Sequence, residues 1–223
     1  MGVQEAFQAT ERSAISRRVY RSYTAYLAHQ KSKLTMLNSG GKYGTDGTDL
    51  AKYDKEFREV LRQRLATLGF LRRGTSVLCL AARVGTEVKA FLDIGCFAVG
   101  IDLNPGEGNS YVLPGDFHSL VFPKHSIDVV YTNSLDHAFD LGKVLVEVQR
   151  VLKPAGHLIA EVQLGLRDGG RVNTGRWESV EWASVHDLES EISQFGYAMQ
   201  ARARFVVPWE GFQVVYEAPK HCS

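Results

Sequence analysis

The chain has 223 residues with a net charge of +1, 44% of them hydrophobic and 23% charged, which suits a globular protein with room for one α/β domain and a modest addition. No apolar run is long enough to span a membrane, and the N-terminal "MGVQEAFQATERS" lacks the basic-then-apolar pattern of a secretory leader. Cys79, Cys96 and Cys222 are too few and too scattered for a disulfide frame or a zinc site, so a reducing cytoplasm is the expected setting. Gly2 invites lipidation, but Ala6 stands where a myristoylation signal wants Ser or Thr. The charge is uneven: residues 1–75 carry 14 Lys/Arg against 7 Asp/Glu, and residues 76–223 carry 12 against 18. Either the two parts attract each other, or the basic front meets an anionic partner.

In chain order, the spacing of Ile15, Val19, Tyr23, Leu27, Leu34 and Leu37 predicts helix through the first 37 residues. "NSGGKYGTDGTDL" (38–50), with four glycines, two Asp and two Thr, predicts a flexible loop. A second helix is expected over about 52–68, with Phe57, Val60, Leu61, Leu65 and Leu68 on one side and Gly69 as its stop. From residue 75 the rhythm becomes strand, turn, helix. "SVLCL" reads as a strand, "TEVKAFLDIG" as a helix and "FAVGIDL" as a second strand. "YVLPGDF" is a weak third strand and "SIDVVYTN" a fourth. "LGKVLVEVQRVLK" is an amphipathic helix stopped by Pro154, and "GHLIAEV" a fifth strand. "SVHDLESEISQFG" is a helix capped by Ser184, with Asp187 completing a capping box. "YAMQARARFVV" and "FQVVYEAP" close as a hairpin around Pro208 and Gly211. The alternation predicts a Rossmann-like, doubly wound α/β sheet of seven strands in three α/β/α layers, with a C-terminal antiparallel hairpin. Residues 1–70 would form a helical region ahead of a main domain over 71–223.

In such a sheet a ligand binds outside the carboxyl ends of the strands, where strand order reverses. The turn after the first strand, "CLAARVG", should lie there. Glycines at such a turn serve a tight bend and close backbone approach. Here only Gly85 remains, with the small Ala81 and Ala82 and an unexpected Arg83. Asp102, at the tip of the second strand, can accept both hydroxyls of a ribose. Asp116 ends the third strand with Phe117 beside it, suiting an exocyclic amine and an apolar ring. Three such groups at successive strand ends fit an adenosine moiety.

This order resembles the class I S-adenosylmethionine-dependent methyltransferases. The resemblance runs from about Val77 to Val162, and more loosely to the C-terminus. Its most specific stretch is "GDFHSLVFPKHSIDVVYTNSLDHAFDLGKVLVEVQRVLKPAGHLIAEV", where "RVLKPAGHL" differs from the family's "RVLKPGG" by Ala155 for Gly. The resemblance implies S-adenosylmethionine as cofactor, cradled by Ala81, Ala82, Arg83 and Gly85. It implies Asp102 on the ribose, Leu103 beside the adenine, Asp116 and Phe117 at the adenine edge, and Asn133 with Ser134 under the sulfonium. The family carries an acid where Cys79 stands and glycines where Ala81 and Arg83 stand. A substitute is available: Arg83, whose fork matches two oxygens, for the methionine carboxylate, and Glu87 for the ammonium.

His137, in "TNSLDHAFD" after the fourth strand, is the candidate catalytic base, since a hydroxyl acceptor must lose its proton and an imidazole suits that task. The bland alternative is a structural histidine capping the helix that begins near Ala138. Asp136 would point elsewhere on a helix and is left unpaired with it. His29, His118, His125, His157, His186 and His221 show no ligand spacing, so no metal is expected. Tyr20, Tyr23 and Tyr26, interleaved with Arg17, Arg18, Arg21, Lys31 and Lys33, form an aromatic and basic strip. It either packs on the domain or serves as a lid over the acceptor, hinged at loop 38–50. The long loop 164–182, with Arg167, Arg171, Arg176, Trp177 and Trp182, could form the opposite wall.

The expected function is O-methylation of a small or medium polar acceptor: a sugar, glycan or metabolite, especially an anionic one. A nucleic-acid (RNA) methyltransferase is the second reading, disfavoured by the near-neutral total charge and the absence of a recognition module. A degenerate cofactor-binding partner protein is the third. No membrane partner is expected, and oligomeric state is not legible.

Overall fold

The computed structural model describes residues 7–9, 14–40, 42–43, 48–170 and 177–220. In chain order the elements are β1 (Phe7–Ala9), β2 (Ile15–Arg18), α1 (Tyr23–Gly40), β3 (Lys42–Tyr43), β4 (Thr48–Asp49) and α2 (Leu50–Ala66). There follow β5 (Ser76–Leu80), α3 (Thr86–Asp93), β6 (Phe97–Asp102), β7 (Val112–Pro114), β8 (Ile127–Thr132) and α4 (Leu141–Val151). The chain ends with β9 (Leu152–Gln163), β10 (Val180–Trp182), α5 (Val185–Ser193), β11 (Ala198–Phe205) and β12 (Gly211–Glu217).

The main sheet has seven strands in the order β11-β12-β9-β8-β5-β6-β7. Strands β5 to β9 are parallel, and β12 and β11 add the expected antiparallel hairpin at one edge. The chain starts in the middle at β5, winds out to β6 and β7, then returns to β8 and winds the other way. Strand order therefore reverses between β5 and β8, and the crevice at their carboxyl ends is the natural ligand site.

Two cores sandwich the sheet because alternate strand residues point to opposite faces. Leu78, Leu80, Val130, Leu158 and Ala160 pack with Leu141, Val144, Leu145 and Val148 of α4 and with Leu188 and Ile192 of α5. Val77, Cys79, Val129, Tyr131 and Ile159 pack with Phe57, Leu61 and Leu65 of α2 and with Val88 and Phe91 of α3. Asp140 caps α4 by accepting from Lys143 N–H at 3.0 Å, and Ser184 Oγ caps α5 by accepting from Asp187 N–H at 3.2 Å. The box at α5 differs from the expected form, because the Asp187 carboxylate accepts the Ser184 hydroxyl rather than a backbone N–H.

The N-terminal region departs from the predicted continuous helix. Residues 15–18 are a strand, antiparallel to both β1 and β10 in a small three-stranded sheet, and α1 begins only at Tyr23. The pairing partner, Val180–Trp182, lies some 160 residues away within a stretch read as loop, so local spacing could not reveal it. Within 38–50, α1 continues to Gly40 and the β3–β4 ladder follows, while residues 41 and 44–47 lie outside the described residues, as do Gly2, Arg171, Arg176, His221 and Cys222. No helix among the described residues is long and apolar enough to cross a membrane.

Candidate active site

The turn after β5 keeps a glycine-like backbone without the glycines. Ala81 has φ +52° and Arg83 φ +32°, ahead of Gly85 at +78°. Left-handed backbone costs a non-glycine residue about 1–2 kcal/mol. Ala155, also at an expected glycine, has φ +59°. All three residues that stand where glycine was expected thus keep a positive φ, which glycine would adopt freely. Gly85 itself cannot be replaced without movement, since a Cβ there would sit 2.8 Å from the Tyr111 Cβ. Gly100 on β6 is similarly required, because a Cβ would meet that of Ala82 at 2.8 Å.

Asp102, at the end of β6, reaches back to this turn. Its Oδ2 accepts from Arg83 N–H at 3.1 Å and its Oδ1 from Asn104 N–H at 2.8 Å. Glu87, in the first turn of α3, is 8% exposed and accepts from Asn133 Nδ2 at 3.0 Å, while the Ser134 hydroxyl donates to Asn133 Oδ1 at 3.0 Å. Burial pushes the Glu87 carboxyl up to about 7, opposed by the bond from Asn133 and by the Arg83 charge. Burial also lowers the Arg83 guanidinium, with Glu87 and Asp102 working against it. Burial pushes the Cys79 thiol well up, and the Glu87 carboxylate adds to that shift.

Ala81, Ala82, Arg83, Glu87, Asp102, Leu103, Phe117, Asn133, Ser134 and His137 line one cavity of about 1010 Å³, counted out to its open mouth. Two expected residues, Gly85 and Asp116, are not on its wall. Gly85 packs under β7. Both Asp116 oxygens face other partners: Oδ1 accepts from His118 N–H at 2.9 Å and from His118 Nδ1 at 2.8 Å, and Oδ2 accepts the Tyr23 hydroxyl. Burial works to raise the Asp116 carboxyl, but the bonds from His118 and Tyr23 outweigh it and hold it at about 2. His118 Nε2 accepts from Phe139 N–H at 3.0 Å and Asp140 N–H at 3.2 Å, which puts the ring hydrogen on Nδ1, facing Asp116.

His137 ends a 3₁₀ turn, Leu135–His137, rather than starting an α-helix. Its Nδ1 lies 3.1 Å from the Trp177 carbonyl, an acceptor only, so Nδ1 carries the hydrogen. The tighter turn also brings Asp136 Oδ1 within 4.0 Å of His137 Nε2, a pairing that α-helical spacing argued against. The same Trp177 carbonyl accepts from Gln30 Nε2 at 2.9 Å.

Helix α1 roofs the cavity, contributing Tyr26, Gln30 and Lys31, while α2 adds Phe57. Tyr20 and Tyr26 are buried, as the packing alternative for the tyrosine strip anticipated. The Tyr20 hydroxyl bonds to Ser179 Oγ at 2.8 Å and His29 Nδ1 at 2.9 Å, and Arg18 Nε donates to Glu178 O at 3.0 Å. Trp182 is buried with its Nε1–H on Gln163 O at 2.9 Å, and neither it nor Arg167 lines the cavity. Sequence reasoning gave no site role to Gln30, Phe57, Asn109 or His118, although Phe57 was placed on the apolar face of the second helix and His118 lies in the family-like stretch. Only the aromatic–basic strip gave a signal for α1.

The cavity fits S-adenosylmethionine by its donor set. A left-handed turn offers close backbone approach, the strand-end carboxylate of Asp102 lies on the wall, and the buried Glu87 carboxyl lies there too, pushed up to about 7 by burial. A family model for a methyltransferase domain matches residues 78–160. No curated protein matches the chain. Among solved structures, the chain is similar to Burkholderia thailandensis 1,6-didemethyltoxoflavin-N1-methyltransferase, solved with 1,6-didemethyltoxoflavin and S-adenosylhomocysteine bound. The TM-score is 0.67 at 16% identity, over 96% of this chain and 99% of that one. It is also similar to an S-adenosylmethionine-dependent methyltransferase from Aquifex aeolicus, with TM-score 0.59 at 16% identity, over 84% of this chain and 97% of that one. Residues 78–160 thus match a methyltransferase domain, and they form most of a seven-stranded sheet whose fold is shared with solved S-adenosylmethionine-dependent methyltransferases.

Proposed function

We propose that the chain methylates an oxygen of a small or medium polar acceptor, a sugar, glycan or metabolite, with His137 as the base. The observation that carries this reading is the setting of His137. It lies on the cavity wall with Nδ1–H fixed on the Trp177 carbonyl, so that in the neutral ring Nε2 is the proton-accepting nitrogen. Bound in the cleft, S-adenosylmethionine supplies a methyl group already activated on a sulfonium. What remains for the chain is to bind, align, exclude water and take the acceptor's proton.

In this reading Asp102 accepts the ribose hydroxyls, and Leu103 and Phe117 flank the adenine. The backbone of Ala81 and Ala82 lies against the methionine part, Arg83 takes its carboxylate and Glu87 its ammonium. Asn133 and Ser134 border the sulfonium. Gly85 serves by letting α3 start close to β7, and Asp116 by fastening α1. His137 Nε2 receives the acceptor proton, and the imidazolium so formed faces Asp136 at 4.0 Å. Residues 1–70 act as the lid over the domain at 71–223, with Lys31 available to an anionic acceptor. The chain works in the cytoplasm, where the buried free thiols Cys79 and Cys96 stay reduced.

The basic front third speaks against nucleic acid. Arg17 pairs with Glu191 at 2.6 Å, Arg58 with Asp93 at 2.6 Å and Arg64 with Glu161 at 2.9 Å, so part of that charge is spent on acids of the following domain. The retained left-handed turn speaks against degeneration. The test is a labelled-methyl transfer screen of a lysate divided into glycans, lipids, metabolites and nucleic acids, run with wild type and His137→Ala. Label in glycans or small polar metabolites, reduced about 10²–10⁴-fold in His137→Ala, supports the reading. Label chiefly in RNA or DNA overturns it.

A further inference from the structure

The strained turn is gripped on both sides of one residue. The Arg83 N–H donates to Asp102 Oδ2 at 3.1 Å, and the Arg83 carbonyl accepts from Asn109 Nδ2 at 2.8 Å. Asn109 stands near the end of the loop joining β6 to β7, and its side-chain amide is fully used. Nδ2 also donates to Pro105 O at 2.8 Å, while Oδ1 accepts from Tyr111 N–H at 2.9 Å and Val112 N–H at 3.1 Å. Two N–H donors on one side and two carbonyls on the other fix which atom is oxygen and which is nitrogen. One side chain thus ties together the turn after β5, the β6–β7 loop and the start of edge strand β7. That strand presses against the same turn, because Tyr111 lies where a Cβ on Gly85 would fall.

Such a junction has a physical purpose here. A non-glycine residue at φ +32° persists only where its surroundings over-determine it. A glycine at the same position would need no such hold.

We propose that Asn109 is a positioning residue of the cofactor cleft, which with Asp102 clamps the Arg83 backbone in the left-handed conformation that a glycine would otherwise supply. The clamp keeps the Arg83 and Glu87 side chains on the cleft wall, and it gives Asp102 a duty besides any contact with ribose. This inference rests on the proposed role of that turn in holding S-adenosylmethionine.

Asn109→Asp isolates the effect. The variant keeps an oxygen to accept from Tyr111 and Val112, but turns a second oxygen, with no hydrogen to give, toward the carbonyls of Arg83 and Pro105. Asn109→Ala removes all four bonds and serves as the second variant. The experiment is calorimetric titration of S-adenosylhomocysteine into wild type and both variants, with hydrogen exchange followed along each free chain. The expected result is affinity weaker by roughly tenfold or more in both variants, with faster exchange confined to residues 81–85 and their hydrogen-bonded neighbours. Variant affinity within about twofold of wild type overturns the clamp, as does exchange that quickens evenly over the whole chain. If the wild type itself takes up no S-adenosylhomocysteine, the cofactor role of the turn fails, and unchanged exchange at residues 81–85 would then still sink the clamp.

Discussion

The Tyr23 hydroxyl donates to the Asp116 carboxylate, joining the roof helix α1 to the tip of β7. Asp116 is held ready for it by two bonds from His118, whose other nitrogen is pinned by the backbone at Phe139 and Asp140. A half-buried relay thus runs from the start of α4 to α1. Removing the hydroxyl in Tyr23→Phe should cost about 1–2 kcal/mol, since a bond to a charged, half-buried carboxylate is lost. The melting temperature should fall by roughly 2–6 °C, with exchange quickening first in α1. An unchanged melting temperature and unchanged exchange would mean that the bond holds nothing.

The same carboxyl predicts an acid response. Asp116 titrates at about 2 in the folded chain against 3.8 ordinarily. A depressed carboxyl contributes stability that is present above its unfolded value and is lost as pH falls through the folded one. Wild-type stability should therefore drop between about pH 4 and pH 2 more steeply than that of Asp116→Asn, as thermal melts across that range would show. Parallel curves would contradict the assignment.

Glu87 predicts the opposite sign. Its carboxyl titrates at about 7 when folded against 4.5 ordinarily, so the folded chain holds this proton the more tightly. The contribution is complete below about pH 4.5 and declines as pH rises to about 7. Glu87→Gln should then raise the melting temperature of the free protein at pH 8 by several degrees while weakening S-adenosylhomocysteine binding about tenfold. Wild-type affinity should rise between about pH 6 and pH 8 as Glu87 ionises to meet an ammonium, and the variant should lose that dependence. A pH-dependent affinity surviving in Glu87→Gln would remove Glu87 from the role.

Ala155 offers a strain test far from ligand chemistry. Its left-handed backbone costs about 1–2 kcal/mol, and glycine would return about 0.5–1 kcal/mol of that in chain entropy. Ala155→Gly should thus gain about 0.5–1 kcal/mol and raise the melting temperature by about 1–4 °C, with S-adenosylhomocysteine affinity unchanged. A lower melting temperature would show the position to be unstrained.

The main sheet was legible because β5, β6, β8, β9 and β12 carry apolar runs separated by amphipathic helices and turn residues, signals that local spacing carries. Ile15–Arg18 was not, because its strand state comes from pairing with Val180–Trp182 rather than from its own pattern. In the cleft, strand-end position pointed to Asp102 and the family resemblance to Asn133, and both line the cavity. The same logic assigned Asp116 to adenine, and could not see that Tyr23 and His118 would claim its oxygens, because those contacts span 93 residues in one case and depend on a ring orientation in the other. Nothing in "GEGNSY" tells that the Asn109 amide reaches Arg83.

The central claim is that a turn built with Ala81 and Arg83 still grips the adenosyl cofactor. Calorimetric titration of S-adenosylhomocysteine into wild type and Arg83→Ala tests it most directly. One-site saturable binding to the wild type, weakened by about tenfold or more in Arg83→Ala, is the predicted result. No uptake by the wild type, or equal affinity in the two proteins, would contradict it.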